Sequence, residues 1–217
     1  MSMRGATADG DHRGMSGAID FWFSIGSTYS YLSVMRIDVV ARQSGVAVRW
    51  RPFDVRAIMV EMNNIPFSTK PVKARYMWRD LERRAAMYAI PWAGIPPYPI
   101  KTLALPNRIA LVGASEGWCA DYVKATYRRW FLDGQDASTE PNVSQSLKDI
   151  GQEPARILAL ANSAETNAAL DRETDAARAL GIFGAPTFAS GKEIFWGDDR
   201  LEDAVEWQRH AQAASAD

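Results

Sequence analysis

The sequence predicts an α/β protein in which a small sheet is interrupted in its middle by a long helical segment. Strand and helix patterns alternate near both ends of the chain, and helical spacing dominates between them. The 217 residues are enough for one domain with an insertion and for a substantial core. We expect a disordered leader over 1–16, a sheet domain formed by 17–70 and 181–212, and an inserted helical domain over 71–180.

The N-terminal region has the pattern of a βαβ unit. A short apolar run, AIDFWFS over 18–24, predicts a buried strand that ends in a turn. Either Ser27 or Thr28 is then a candidate cap for a helix that runs to about Gln43. The alternating segment VAVRWRP over 46–52 predicts the second strand, and the segment 63–66 is expected to form a loop.

Helical spacing predominates from Pro71 onward. The first helix of this region is predicted to end at about Ala89, with Tyr76, Leu81 and Met87 facing the interior. The later helices are predicted over 106–116, 118–132, 142–150, 154–162 and 165–180.

The C-terminal region returns to an extended pattern. Two short strands are predicted over 185–189 and 193–196, joined by a Ser-Gly-Lys hairpin turn. A last helix is predicted from Arg200 to about Gln212. The resulting order, βαβ, helical insertion and ββα, is that of a thioredoxin-like fold.

Composition excludes several functions. The 25 basic and 26 acidic residues give a formal charge of -1, which offers no electrostatic footprint for nucleic acid or an anionic membrane. No apolar stretch has the length of a membrane span or the form of a secretion signal, so a cytoplasmic protein is expected. The single Cys119 excludes an internal disulfide, and the two histidines, His12 and His210, lie near the chain ends, which argues against histidine catalysis and a histidine metal site.

The first candidate site is Ser27, between the first strand and the first helix. Redox thioredoxins carry Cys-x-x-Cys at this place, because a helix N-terminus stabilises a thiolate. Here Ser27 and Ser30 stand at that spacing. A hydroxyl cannot exchange disulfides, but it can donate a hydrogen bond to the thiolate of a bound molecule. The alternative is that Ser27 only caps the helix.

Two further candidate sites lie in the C-terminal region. Ala185-Pro186 opens the third strand, and a cis bond there would present the backbone of Ala185 to an extended peptide; the alternative is an ordinary trans turn proline. Asp198 and Asp199 precede the last helix, where one can cap the helix and the other is then free to bind an α-amino group.

Taken together, these segments resemble the kappa-class glutathione transferases and the 2-hydroxychromene-2-carboxylate isomerases, in the DsbA-like branch of the thioredoxin superfamily. The resemblance covers roughly 18–210 and rests on DFWFSIGSTYSYLS, RPFDVRAIM, GIFGAPTF and WGDDRLE. It implies that Ser27 is the catalytic serine. It also implies a glutathione site to which the following residues contribute: Ser27, Asn64, Lys73, Ala185, Pro186, Asp198 and Asp199. Thr28 departs from the family, which usually has proline there, and Asp198 stands where serine is common.

The resemblance implies a glutathione-dependent isomerase that acts on an aryl-substituted pyruvate in the degradation of aromatic compounds. A glutathione transferase and a non-enzymatic thioredoxin-like binding module are the alternatives. The expected ligands are glutathione and a small aromatic substrate, and the expected assembly is a homodimer. Arg51, with Lys73 and Asn64, is a candidate for holding a substrate anion, and four aromatic side chains are candidates for stacking on its ring: Phe67, Trp78, Trp92 and Tyr98.

Overall fold

The computed structural model of the chain describes residues 17–64, 67 and 70–216. Its centre is a sheet of four strands, β1 (Ala18–Phe23), β2 (Ala47–Pro52), β3 (Thr187–Ser190) and β4 (Glu193–Trp196). The spatial order is β2-β1-β3-β4. Strand β1 pairs in parallel with β2 and antiparallel with β3, and β3 pairs antiparallel with β4. The predicted thioredoxin-like βαβ and ββα units are confirmed; the predicted leader lies outside the described residues.

Helices surround this sheet and fill the middle of the described chain. They are α1 (Ser30–Gln43), α2 (Val55–Glu61), α3 (Pro71–Met87), α4 (Ala104–Glu116), α5 (Cys119–Leu132), α6 (Asn142–Asp149), α7 (Pro154–Ala161), α8 (Ala164–Ala179) and α9 (Leu201–Ala216). Every predicted helix is present, with boundaries within a few residues of those expected. The short helix α2 occupies a segment for which no element was predicted.

The central strand β1 separates two parts of the core. Successive side chains of a strand point to opposite faces. Phe21 and Phe23 accordingly lie in the large hydrophobic cluster on one face, where Phe21 stacks on Phe188 of β3 at 5.3 Å between ring centroids. Trp22 points to the other face and packs edge-on against Phe53, in a cluster that α2 and α8 cover.

The large cluster contains residues from both of the predicted domains. It joins Phe21 of β1 to Tyr127 and Trp130 of α5, all fully buried. The helical region therefore shares a core with the sheet, and the division into separate domains stays a prediction. One detail of α3 was wrong: Tyr76 and Met87 are 62% and 68% exposed, and the buried stripe is Met77, Leu81 and Ala85, which recur every four residues.

The described residues contain neither a membrane-spanning helix nor a group of side chains that could hold a metal ion. None of the helices in residues 17–64, 67 and 70–216 is long and apolar enough to cross a membrane. The same residues contain no group of three or more His, Cys, Asp or Glu side chains that could hold a metal ion. Cys119 is a free, buried thiol, and burial raises its pKa.

Candidate active site

Ser27 lies in the turn between β1 and α1, half-buried at the end of the sheet. Its Oγ donates a hydrogen bond to the carbonyl of Ala185, 2.8 Å away. The two candidate sites that carry a serine and a proline are thus in direct contact, although 158 residues separate them in the sequence.

The expectation that Ser27 or Thr28 caps α1 is wrong. The N-cap of α1 is Tyr29, which makes no side-chain capping bond. Thr28 instead donates from Oγ1 to Sδ of Met77, 3.2 Å away on α3. Within the part of the chain that the structure describes, the backbone N–H groups of Thr28 and Tyr29 have no hydrogen-bond partner, so this helix end still offers donors to an anion.

Two helices of the insertion hold the turn that carries Ser27. The Asn107 side chain, on α4, accepts from N–H of Ile25 at 2.7 Å and donates to Oγ of Ser24 at 3.1 Å. The Tyr127 hydroxyl, on α5, donates to the carbonyl of Ser27 at 2.9 Å. Both side chains are buried, at 1% and 0% exposure, so these bonds fix the turn firmly. Neither residue was predicted to lie here, because 82 residues separate Asn107 from Ile25 and 100 residues separate Tyr127 from Ser27 in the sequence.

The peptide bond between Ala185 and Pro186 is cis, as predicted. The carbonyl of Pro186 accepts from N–H of Gly197, 2.9 Å away in the turn after β4. Trp196 lies across Gly184, where an added Cβ would approach the indole Nε1 to 2.4 Å. Only glycine fits at position 184, and Trp196 thereby forms a wall next to Ala185.

A cavity of ≈ 270 Å³ opens in front of Ser27 and Ala185. Asn64 and Lys73, two residues of the predicted glutathione site, line it as well. Most of the remaining wall is apolar or aromatic: Val55, Met59, Phe67, Tyr98, Pro99, Ile100, Leu103, Phe183 and Trp196. The cavity therefore combines a small polar region at Ser27 with a surface suited to a flat hydrophobic molecule.

The charged residues of this cavity are all cationic. Arg56 and Lys73 line it, and no Asp or Glu is among the described residues on its surface. The Tyr98 ring packs edge-on against Trp78 at 5.3 Å and against Phe67 at 6.4 Å. Burial raises the pKa of Tyr98 and the positive charge of Arg56 opposes this rise, so the phenol stays protonated at neutral pH. The cavity favours an anionic aromatic ligand.

Asp198 does not lie at this cavity. Its side chain is 2% exposed, and its Oδ1 accepts from Ser33 Oγ at 3.0 Å and from Arg36 Nε at 3.2 Å. The resemblance implied that Asp198 belongs to the glutathione site, but α1 covers its carboxylate and Asp198 is not among the residues that line this cavity. Burial raises the pKa of Asp198, and the opposing effect of Arg36 is the smaller of the two.

Asp199 is the accessible member of the acidic pair. Its carboxylate is 45% exposed and faces Arg84 at 3.7 Å and Arg200 at 4.0 Å. It packs against Gly197, whose φ is +112° and where an added Cβ would lie 2.6 Å from Oδ1 of Asp199. Because N–H of Gly197 bonds to Pro186, Asp199 is held beside the cis-proline turn. The short 3-10 turn Asp198–Arg200 has no side-chain cap, and capping of α9 by an aspartate stays a prediction.

The other sequence candidates divide between the cavity and the interior. Phe67 and Tyr98 line the cavity, whereas Trp78 and Trp92 are not among its lining residues. Arg51 is engaged elsewhere, since its Nε donates to Glu173 at 2.7 Å and its guanidinium lies over the Trp22 ring. Arg56 was missed because no helix was predicted over the residues of α2. Asp54, which accepts from N–H of Arg56 and Ala57, was an available helix-start signal.

Comparison with known proteins identifies the family. The family described as the DSBA-like thioredoxin domain matches residues 18–206. The chain belongs to this DSBA-like thioredoxin family. Proteins of similar sequence include the 2-hydroxychromene-2-carboxylate isomerase of Sphingobium xenophagum, 28% identical over 190 residues, which cover 87% of this chain and 96% of that one. The isomerase of the same name from Pseudomonas putida is 26% identical over 84% of this chain and 90% of its own length.

The chain is also similar to a glutathione transferase and to a solved isomerase structure. Glutathione S-transferase kappa 1 of Caenorhabditis elegans is 36% identical, but over only 74 residues, or 34% of this chain and 33% of the transferase. A solved 2-hydroxychromene-2-carboxylate isomerase superposes with a TM-score of 0.78 at 25% identity, over 92% of this chain and 99% of that chain. The resemblance seen in the sequence motifs is confirmed, and the similar proteins are named as enzymes of the predicted kind.

Proposed function

We propose that the protein is a glutathione-dependent isomerase of the 2-hydroxychromene-2-carboxylate type. The observation that carries this proposal is the contact between Ser27 and Ala185 at the floor of a cationic, aromatic-walled cavity. The homodimer and the role in the degradation of aromatic compounds belong to the same proposal, by resemblance to the isomerase relatives.

The residues present fit glutathione. Ser27, the N-terminus of α1 and the backbone at Ala185 lie together at the cavity, and Lys73 and Asn64 line the same cavity. In the proposal, the Ala185 carbonyl accepts from an amide of the bound tripeptide. This would release the Ser27 hydroxyl to donate to the sulfur. Asp199 lies beside the same turn, within reach of a flexible γ-glutamyl arm.

Bound glutathione supplies a thiolate that can add reversibly to a conjugated double bond and so allow rotation about it. Ser27 donates a hydrogen bond that favours the charged sulfur over the neutral thiol. The α1 N-terminus adds a smaller favourable interaction. No histidine is among the described residues that line the cavity, so Ser27 has no histidine as a general base and acts as a donor, not as a nucleophile. The apolar wall excludes water, which strengthens each of these interactions.

A transferase reaction is the second candidate, because the same thiolate can attack an electrophile and leave as a conjugate. The partial similarity to a kappa-class transferase supports it. A binding module without catalysis is the third. The lining of the cavity favours the isomerase. The described lining residues include two cations, Arg56 and Lys73, and no Asp or Glu, which suits the carboxylate of an aryl-substituted pyruvate.

Purified protein is expected to interconvert 2-hydroxychromene-2-carboxylate and its open trans isomer only when glutathione is added, because the chain has no cysteine at position 27 or 30. Ultraviolet absorbance follows the reaction directly, and glutathione should not be consumed. Depletion of glutathione with formation of a conjugate would favour the transferase instead. Absence of turnover together with absence of glutathione binding would contradict both.

The carboxylate of Asp199 is expected to contribute modestly to glutathione affinity. It is 45% exposed and already faces two arginines, so an ammonium partner should be worth only about 0.2–1 kcal/mol. Asp199→Asn should therefore raise the dissociation constant by no more than about fivefold. Isothermal titration with glutathione measures this change. Asp203→Asn, on the same surface and paired with Arg200, is the matched control, and an equal effect of both variants would remove Asp199 from the site.

A further inference from the structure

We infer that Arg56 is the residue that selects carboxylate-bearing substrates. The inference rests on the proposed isomerase function and adds a specificity residue to it. Arg56 is not one of the residues of the predicted glutathione site. The motif RPFDVRAIM contains Arg56, but no role was predicted for it from the sequence.

The Arg56 side chain is a half-buried cation without a protein partner. It extends from the first turn of α2 to the cavity surface. Among residues 17–64, 67 and 70–216, no side chain or carbonyl makes a hydrogen bond or an ion pair with its guanidinium, whereas its backbone N–H donates to Asp54. The neighbouring arginines of β2 differ, since Arg49 pairs with Asp20 and Arg51 with Glu173. A partly desolvated charge without a counterion is costly unless a ligand supplies one.

The surroundings of Arg56 define the ligand. Arg56 lines the same cavity as Tyr98 and Phe67, which places its side chain near the aromatic wall, and its positive charge lowers the pKa of the Tyr98 phenol. A flat ring against Tyr98 and Phe67 would therefore carry its substituent toward Arg56. A planar guanidinium matches a carboxylate with two parallel hydrogen bonds, which an ammonium group cannot do. Lys73 is exposed, with Nζ 5.9 Å from the Phe67 ring centroid, and lies at the rim of the cavity.

The test compares a carboxylate with its uncharged ester. Binding of trans-cinnamate and of methyl cinnamate is measured by titration calorimetry in the presence of glutathione. Wild-type protein should prefer cinnamate, and Arg56→Gln should weaken cinnamate binding by about ten- to a hundredfold, as expected for a charge-assisted hydrogen-bonded pair. Methyl cinnamate binding should not change. Arg56→Lys should give an intermediate loss, and Arg75→Gln, which alters an exposed arginine outside the cavity, should give none.

Several outcomes would overturn the inference. These are wild-type protein that binds no cinnamate, unchanged cinnamate affinity in Arg56→Gln, and an equal loss for the ester, which would indicate altered cavity shape. Weaker glutathione binding with unchanged cinnamate binding would assign Arg56 to glutathione instead. Because the readout is binding, it is separate from the isomerase assay. If wild-type protein fails to isomerise but shows the charge-selective loss, the proposed reaction falls and the carboxylate site stands.

Discussion

Replacing Arg36 with methionine is expected to lower the free energy of unfolding by about 3–5 kcal/mol at neutral pH, the range for breaking a buried ion pair. Arg36 donates from Nε to the Asp198 side chain and from Nη2 to the Asp198 carbonyl, at 3.2 and 2.5 Å. The other carboxylate oxygen of Asp198, Oδ2, has no partner among the described residues. Without Arg36, the hydrogen bond from Ser33 and the attraction of the Arg84 charge would remain to stabilise this buried charge.

The pH dependence of this loss identifies its cause. Burial raises the pKa of Asp198 and Arg36 opposes the rise, so removing Arg36 should raise the pKa further. A carboxyl group whose folded pKa exceeds its unfolded pKa favours folding below the unfolded value, and this contribution disappears as pH rises through the folded pKa. The variant should therefore lose less stability at mildly acidic pH than at neutral pH.

Urea denaturation of Arg36→Met and wild-type protein at both pH values measures the effect. Arg42→Met is the control, because Arg42 is an exposed residue of the same helix and its loss should cost less than about 0.5 kcal/mol. A loss that is equal at both pH values would contradict the ionic explanation. It would point instead to the packing of the Arg36 guanidinium over the Tyr88 ring, 4.2 Å from its centroid.

The elements that the sequence predicted correctly are those with strong local patterns. Strand β1 is apolar except for Asp20, because it is a central strand and most of its side chains are buried, and a turn closes the β3–β4 hairpin at Gly191. The order of these elements predicted the fold, the four motifs in that order predicted the family, and the first motif placed Ser27 between β1 and α1. Ala185 could be placed beside Ser27 only through that family resemblance.

The parts that could not be predicted depend on tertiary contacts. Asp198 and Asp199 are identical in sequence terms, yet α1 buries the first and leaves the second exposed. A seven-residue helix such as α2 gives too short a pattern to distinguish from a loop, and Arg56 was lost with it. On α3, apolar residues occur on both sides of the helix, so spacing alone did not reveal which side the core would cover.

Ser27→Ala is expected to raise the pKa of the bound glutathione thiol by about one unit or more and to lower turnover at neutral pH by about tenfold. A free thiol has a pKa of about 8.5, and lowering this pKa to about 7 requires roughly 2 kcal/mol. A hydrogen bond to a charged group supplies about 1.5–3 kcal/mol, and a helix N-terminus about 0.3–1 kcal/mol. Removing the hydroxyl leaves only the weaker contribution.

Thiolate absorbance near 240 nm, followed against pH in the saturated complex, measures this pKa, and the isomerase assay measures turnover. Thr28→Ala is the matched control, since it removes the adjacent hydroxyl, which donates to Met77 and not to the ligand in our proposal. It should leave the bound-thiol pKa unchanged. If Ser27→Ala also leaves the pKa and turnover unchanged, the serine serves only to hold Ala185 through their 2.8 Å hydrogen bond, and the helix N-terminus alone must stabilise the thiolate.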